Sequence, residues 1–208
     1  MKQLKTGLAI GLAMDLVCSA ALAGTDMLIA DGKEGVPATS RAGFETPEWR
    51  ENPPADWLTY HLAHPGPTHG GPGDPNPAYY YKGRYHLHYI YESKAGGGCA
   101  FGHVSSKDMV HWEWHPTVLA PKSTGHGMFS GTGFFTKDGK AAMIYHGQGS
   151  GRNQIAYALD DNMDQWTRPE AIVPKDKDGN EARMRHWDPD LWQIGDTYYA
   201  LSGGKDPE

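Results

Sequence analysis

The chain has 208 residues, of which 27 are Gly, 15 Pro, 7 Trp, 11 Tyr and only 2 Cys. With 19 basic and 25 acidic residues its formal net charge is −6, which disfavours an electrostatic grip on nucleic acid. Beyond the first two dozen residues, no apolar run approaches the roughly 18 residues that a membrane span needs.

Residues 1–23 read as a secretory signal. Lys2 and Lys5 make a positive start, Gly7 to Met14 is mostly apolar, and Ala21, Leu22 and Ala23 offer small residues for cleavage. Asp15 interrupts the apolar stretch. Cleavage before Gly24 removes Cys18 and leaves Cys99 alone, so a packed core and not a disulfide must hold the fold. The expected location is secreted or periplasmic, with no membrane partner after cleavage. Residues 24–56 form a leader segment, and residues 57–208 the domain that carries the remaining signals.

Within that domain one pattern recurs: an aromatic strand, a short Gly-containing turn and a second strand. It occupies residues 79–89, 134–145 and 191–200, around Lys82-Gly83, Asp138-Gly139 and Gly195-Asp196. Gly accepts positive φ, and the flanking Tyr, Phe, Ile and Trp suit half-buried strands, so three tight hairpins are predicted. The turn glycines are evenly placed, 139 − 83 = 56 and 195 − 139 = 56. A second marker follows the first two hairpins, residues 106–112 resembling residues 161–166, with Trp112 and Trp166 ending an outer strand. Repeats of this size, each unable to bury its own faces, indicate an all-β propeller. Tyr89, Trp112, Trp166 and Trp192 are better read as blade packing than as sugar platforms.

The period also aligns what precedes each hairpin. Asp74 and Ser130 each lie 9 residues before their turn glycine, and Asp188 lies 7 before its own. Innermost propeller strands line a central channel, so these polar residues should converge on one axial pocket. Asp74-Pro75 and Asp188-Pro189 recur 114 residues apart, about two periods. Paired carboxylates on one pocket suit glycoside hydrolysis, although Asp before Pro also simply caps turns. His126 and His146 flank the second hairpin near that pocket and are candidates to bind hydroxyls.

The 11 histidines raise the question of a metal. His86 and His88 share a strand face, but spacing supplies no third ligand, and no metal or other cofactor is assigned. The glycines of residues 147–151 lack the Lys-Ser/Thr end of a phosphate loop, so no nucleotide site is expected.

Five ordered motifs carry a family resemblance. They are Gly73-Asp74-Pro75-Asn76, residues 85–91, residues 101–113, Met128-Phe129-Ser130-Gly131-Thr132 and Trp187-Asp188-Pro189. Together, from about Trp57 onward, they resemble the start of glycoside hydrolase family 32, which holds invertases, levanases and inulinases. The resemblance implies a five-bladed β-propeller, present here as roughly its first half, and a retaining mechanism on β-fructofuranosides. It makes Asp74 the nucleophile, followed by Asn76 of the same motif, and Asp188 the transition-state stabiliser. It also places Phe129 and Ser130 in the wall of the sugar pocket.

The chain departs from that pattern in places. Gly71-Pro72-Gly73 stands where the family carries Trp-Met-Asn, Pro77 stands where Gly is usual, and Trp187 replaces an Arg. Arg185 or His186 is the candidate source of the lost charge. The family's acid/base Glu lies several tens of residues beyond the Asp188 motif, whereas only 208 − 188 = 20 residues follow here. The expectation is therefore a truncated, inactive piece of an exported glycosidase. Competing readings are an inverting arabinosidase or xylosidase propeller and a non-catalytic carbohydrate-binding propeller.

Overall fold

The computed structural model describes residues 73–92, 97–115, 119–182 and 184–203. The secretory signal and leader segment of the sequence analysis lie outside these residues. Strands β1 (Ala78–Tyr81), β2 (Arg84–Glu92), β3 (Cys99–Ser106) and β4 (Trp112–His115) form one antiparallel sheet in sequential order. After a single helical turn, α1 (Pro121–Thr124), strands β5 (Gly127–Phe135), β6 (Ala141–Gln148), β7 (Arg152–Tyr157) and β8 (Glu170–Ala171) repeat that order. Strands β9 (Asp190–Ile194) and β10 (Thr197–Leu201) form a third hairpin. Two four-stranded meanders and the opening of a third are successive blades of a propeller.

All three predicted hairpins are present, and two have the predicted tight turn. Tyr81 pairs with Arg84 and Ile194 with Thr197, leaving two residues in each turn. At the first turn Lys82 and Gly83 both have positive φ, 48° and 81°, the requirement of a type I′ connection. The second differs. Phe135 pairs with Ala141, leaving residues 136–140 as a five-residue loop. Thr136 closes it, its Oγ1 donating to Asp138 Oδ1 at 2.5 Å and accepting from the Lys140 amide at 3.0 Å. A side chain that binds its own loop holds a wider turn than the Asp-Gly pair alone suggests.

The blades pack face to face because their strands alternate. In β2, Leu87, Tyr89 and Tyr91 join Val104 and Ala120 on one face. His86, His88 and Ile90 face the opposite way, toward the second blade. In β6, Met143 and Tyr145 point into the core between the first two blades, with Tyr79, Phe101, Met128, Met163 and Trp166. Ala142 and Ile144 point to the other side, where Phe134, Ile155 and Leu191 join the second blade to the third hairpin. The period of two thus feeds two cores from one strand. Tyr79 Oη donates to the Ala142 carbonyl at 2.7 Å, a buried bond between blades.

The second repeat marker has a structural counterpart. Ser106 Oγ accepts the amides of Asp108 and Met109, and Asp160 Oδ1 accepts those of Asn162 and Asp164. Met109 and Met163, 54 residues apart, both take positive φ, 63° and 59°. The tryptophans differ from the expectation of strand ends. Trp112 opens β4, while Trp166 forms a single bridge to Ala158 and is fully buried. Packing is the role of Tyr89 and Trp166, both at 0% exposure; Trp192 is exposed and stacks on Tyr199 at 6.1 Å.

Candidate active site

Asp74 lies four residues before β1, in a segment tied to β2. The Gly73 amide donates to the Ile90 carbonyl at 2.6 Å, and the Ile90 amide donates to the Asp74 carbonyl at 3.1 Å. These bonds fix the Asp74 backbone and leave its side chain exposed at the start of the innermost strand. Ser130 occupies the matching place on β5 and donates its hydroxyl to Asp74 Oδ2. The 56-residue register therefore becomes a direct contact between blades. Asn76 adds another, its Oδ1 accepting the Gly131 amide at 3.2 Å.

A bulge aims Ser130. Met128 pairs with Gly147 and Gly131 with Tyr145, so Phe129 and Ser130 together oppose His146 alone. An extra residue in one strand redirects the side chains at that point, a device common beside active sites. Gly131 is required there, because a Cβ would collide with the Ile144 carbonyl and the Tyr145 backbone.

A second group forms around Trp187 and Asp188. The Trp187 ring lies 4.7 Å from His146 and 5.5 Å from Phe129, between centroids. Phe129 and His146 stack at 6.1 Å with planes 14° apart. His146 Nδ1 donates to Asn153 Oδ1 at 3.2 Å, and Asn153 Nδ2 donates to Ser202 Oγ at 3.0 Å. Ser202 Oγ also accepts the Trp187 amide and donates to the Trp187 carbonyl, at 2.9 and 2.8 Å. Side chains from β6, from β7 and from Ser202, just after β10, thus hold the residue before Asp188. Asp188 itself has φ of 35°, a sparsely populated region for a residue with a Cβ.

The remaining candidates divide. His126 Nε2 is 2.9 Å from Tyr145 Oη, and its ring lies beside Gly147 of the same sheet. Burial, then the neighbouring His146, lowers its affinity for a proton. His186 is buried, and burial, then Arg152 and His146, lowers its proton affinity too, so this ring is held neutral. Arg185 is exposed. Among the described residues no hydrogen bond or ion pair joins Arg185, or Asp188, to the Asp74–Ser130 pair.

Asn153, Ser202 and the packing of Trp187 were not among the candidates the sequence offered, whereas Gly131 stood in the Met128–Thr132 motif. Asn153 was legible in principle, since it pairs with His146 once β6 and β7 are in register. Ser202 carries no signal until β10 folds back on residue 187.

The chain matches the model of the glycosyl hydrolases family 32 N-terminal domain over residues 64–208. Sucrose-6-phosphate hydrolase of Escherichia coli is 30% identical over 162 residues, covering 71% of this chain and 32% of that protein. The maize cell-wall β-fructofuranosidase is 28% identical over 178 residues, covering 76% and 28%. The chain therefore spans about a third of the length of these relatives. Among solved structures, fructan 1-exohydrolase IIa from Cichorium intybus superposes with a TM-score of 0.51 at 25% identity, over 64% of this chain and 27% of that one. Sucrose-6-phosphate hydrolase from Lactobacillus gasseri gives 0.50 at 28% identity, over 65% and 29%. The blades described above are about the first half of a five-bladed propeller. By its matched domain and its fold, this chain belongs to glycosyl hydrolase family 32.

Proposed function

We propose that the chain is the N-terminal part of an exported β-fructofuranosidase that retains anomeric configuration. The observation that carries this is the inter-blade contact of Ser130 with Asp74, which leaves one carboxylate oxygen for attack. Among the described residues Asp74 Oδ1 takes no hydrogen bond. Asp74 attacks the anomeric carbon of a fructosyl unit, and the bond to the leaving alcohol breaks as a proton reaches its oxygen. Water then cleaves the glycosyl-enzyme ester on the same face, which restores the original configuration. Ser130 orients the nucleophile through its hydrogen bond to the carboxylate.

Asp188 is the transition-state stabiliser, its carboxylate held toward the sugar hydroxyls by the locked Trp187 backbone. Phe129, His126 and His146 form the wall against which the sugar ring packs, with Asn76 at its edge. Arg185 and His186 border the far side. Neither aspartate serves as proton donor in this scheme, so the 208-residue chain alone is expected to release no monosaccharide. These steps need no metal or organic cofactor.

The test uses protein extended to the length of the relatives, acting on sucrose and a short fructan. Asp74→Asn should lower fructose release by on the order of 10⁴-fold while sugar binding persists. Undiminished release in that variant refutes the assignment. The initial anomer of the released sugar, followed by NMR, should match the substrate; the opposite anomer would establish inversion. Binding without any release by the extended wild type would favour a carbohydrate-binding propeller.

A further inference from the structure

Away from Asp74, the face of the first blade that meets the second carries a ladder of imidazoles. His88, His103 and His115 sit opposite one another on β2, β3 and β4. Their rings stack, His88 on His103 at 4.3 Å and His103 on His115 at 4.2 Å. His86, one register step along β2, brings its Nδ1 to 3.1 Å from His103 Nε2. His86 and His103 are each 2% exposed, and the His115 side chain is 13% exposed. One nitrogen from each of His86, His103 and His115 lies within 4.8 Å of the others.

A carboxylate from the second blade sets the tautomers. Asp164, in the turn before Trp166, places Oδ1 at 2.7 Å from His115 Nδ1 and 3.8 Å from His103 Nδ1. His115 donates its Nδ1–H there, which leaves Nε2 as a lone pair. His103 Nδ1 is buried without a hydrogen bond in this arrangement, and a small shift toward Asp164 would supply one. His103 then presents Nε2 to His86 Nδ1, and His115 Nε2 is left as a lone pair close by, in the carboxylate–histidine arrangement that orients and strengthens imidazole ligands.

We propose that His86, His103 and His115 form a binding site for a divalent transition metal of the zinc type, with Asp164 orienting two of the three ligands. Three neutral imidazoles plus a water complete a tetrahedral set. The 3.1 Å between His86 Nδ1 and His103 Nε2 is close to the roughly 3.3 Å edge expected for metal–nitrogen bonds of about 2.0–2.1 Å. Binding moves the proton now shared by that pair to the outer nitrogen of His86, so all three rings bind without net proton release. Two neighbours compete. Ser105 Oγ lies 2.7 Å from His115 Nε2, and Arg84 donates to the same hydroxyl at 2.8 and 3.0 Å. The Arg84 charge is met by Glu113 at 2.7 Å. Ser105 must therefore turn away from His115 as the metal enters. The ligands sit on one blade and their orienting carboxylate on the next, so the ion would clip the two blades together.

The experiment titrates the folded full chain, first stripped with a chelator, with Co²⁺ and with Zn²⁺. One equivalent of Co²⁺ should develop the intense visible absorption of tetrahedral nitrogen coordination, and Zn²⁺ should displace it and raise the thermal midpoint. Asp164→Asn, which keeps shape and touches no metal, should weaken Co²⁺ about 10- to 100-fold. His115→Gln should abolish the band, while His111→Ala, at an exposed histidine, should change nothing. Absence of a saturable one-equivalent band in the folded wild type overturns the proposal. Equal affinity in wild type, Asp164→Asn and His115→Gln overturns it as well.

Discussion

At the scale of single residues the decisive contact is the one between Ser130 and Asp74. A hydrogen bond to an ionised carboxylate contributes about 1.5–3 kcal/mol. Ser130→Ala in the extended enzyme should therefore lower kcat/KM about 10- to 100-fold, with the larger part in kcat. An unchanged kcat/KM in steady-state assays would remove Ser130 from the reaction. The alignment of Asp74 with Ser130 was legible because both count back 9 residues from a turn glycine. That they touch was not, since the bulge at Phe129 and Ser130 reaches across a register no local pattern specifies. Trp187 was legible only as a missing Arg. Its ring against His146 and Phe129 depends on β10 returning to bring Ser202 under residue 187.

At the scale of elements, β2 and β3 carry a chemical liability beside their packing. Burial, with His115 and Arg84 behind it, lowers the His86 proton affinity to a pKa of about 4. Burial, then His86 and His115, lowers His88 to about 3, and burial lowers His103 as well. In the unfolded chain these rings ionise near 6.5. Below that pH the unfolded chain binds protons that the folded chain refuses, so stability falls as pH drops from about 6.5 toward about 4. The slope reaches about 1.4 kcal/mol per pH unit for each such ring. Urea midpoints in chelator buffer should decline across this window; equal midpoints at pH ~7 and ~4.5 would contradict the burial of these rings. The turns have their own test. Gly139 has φ of 78° with open space where a Cβ would stand, so Gly139→Ala should cost about 1 kcal/mol from backbone alone. The hairpins were readable from aromatic–turn–aromatic strings. The ladder was not, because His103 and His115 join His86 only through strand pairing.

At the scale of the whole molecule, stability resides between blades. Trp166 is fully buried against His88, with Met163 and Tyr145 in the same core. Trp166→Ala should cost about 3–5 kcal/mol in equilibrium denaturation. A loss below 1 kcal/mol would mean the blades do not lean on this side chain. The third hairpin is different in kind: Ile194 and Leu201 are 62% and 64% exposed, and Trp192 and Tyr199 are exposed beside them. The repeat count made this partial propeller visible from sequence, and the strand-to-strand order follows it. The central proposal is a covalent bond from Asp74 to the sugar. The most direct measurement removes its carboxylate, as Asp74→Ala in the extended protein, and supplies azide with a fructoside bearing a good leaving group. A nucleophilic role predicts recovered turnover and a glycosyl azide of inverted configuration. Fructose of unchanged configuration released without azide, at the wild-type rate, would contradict it.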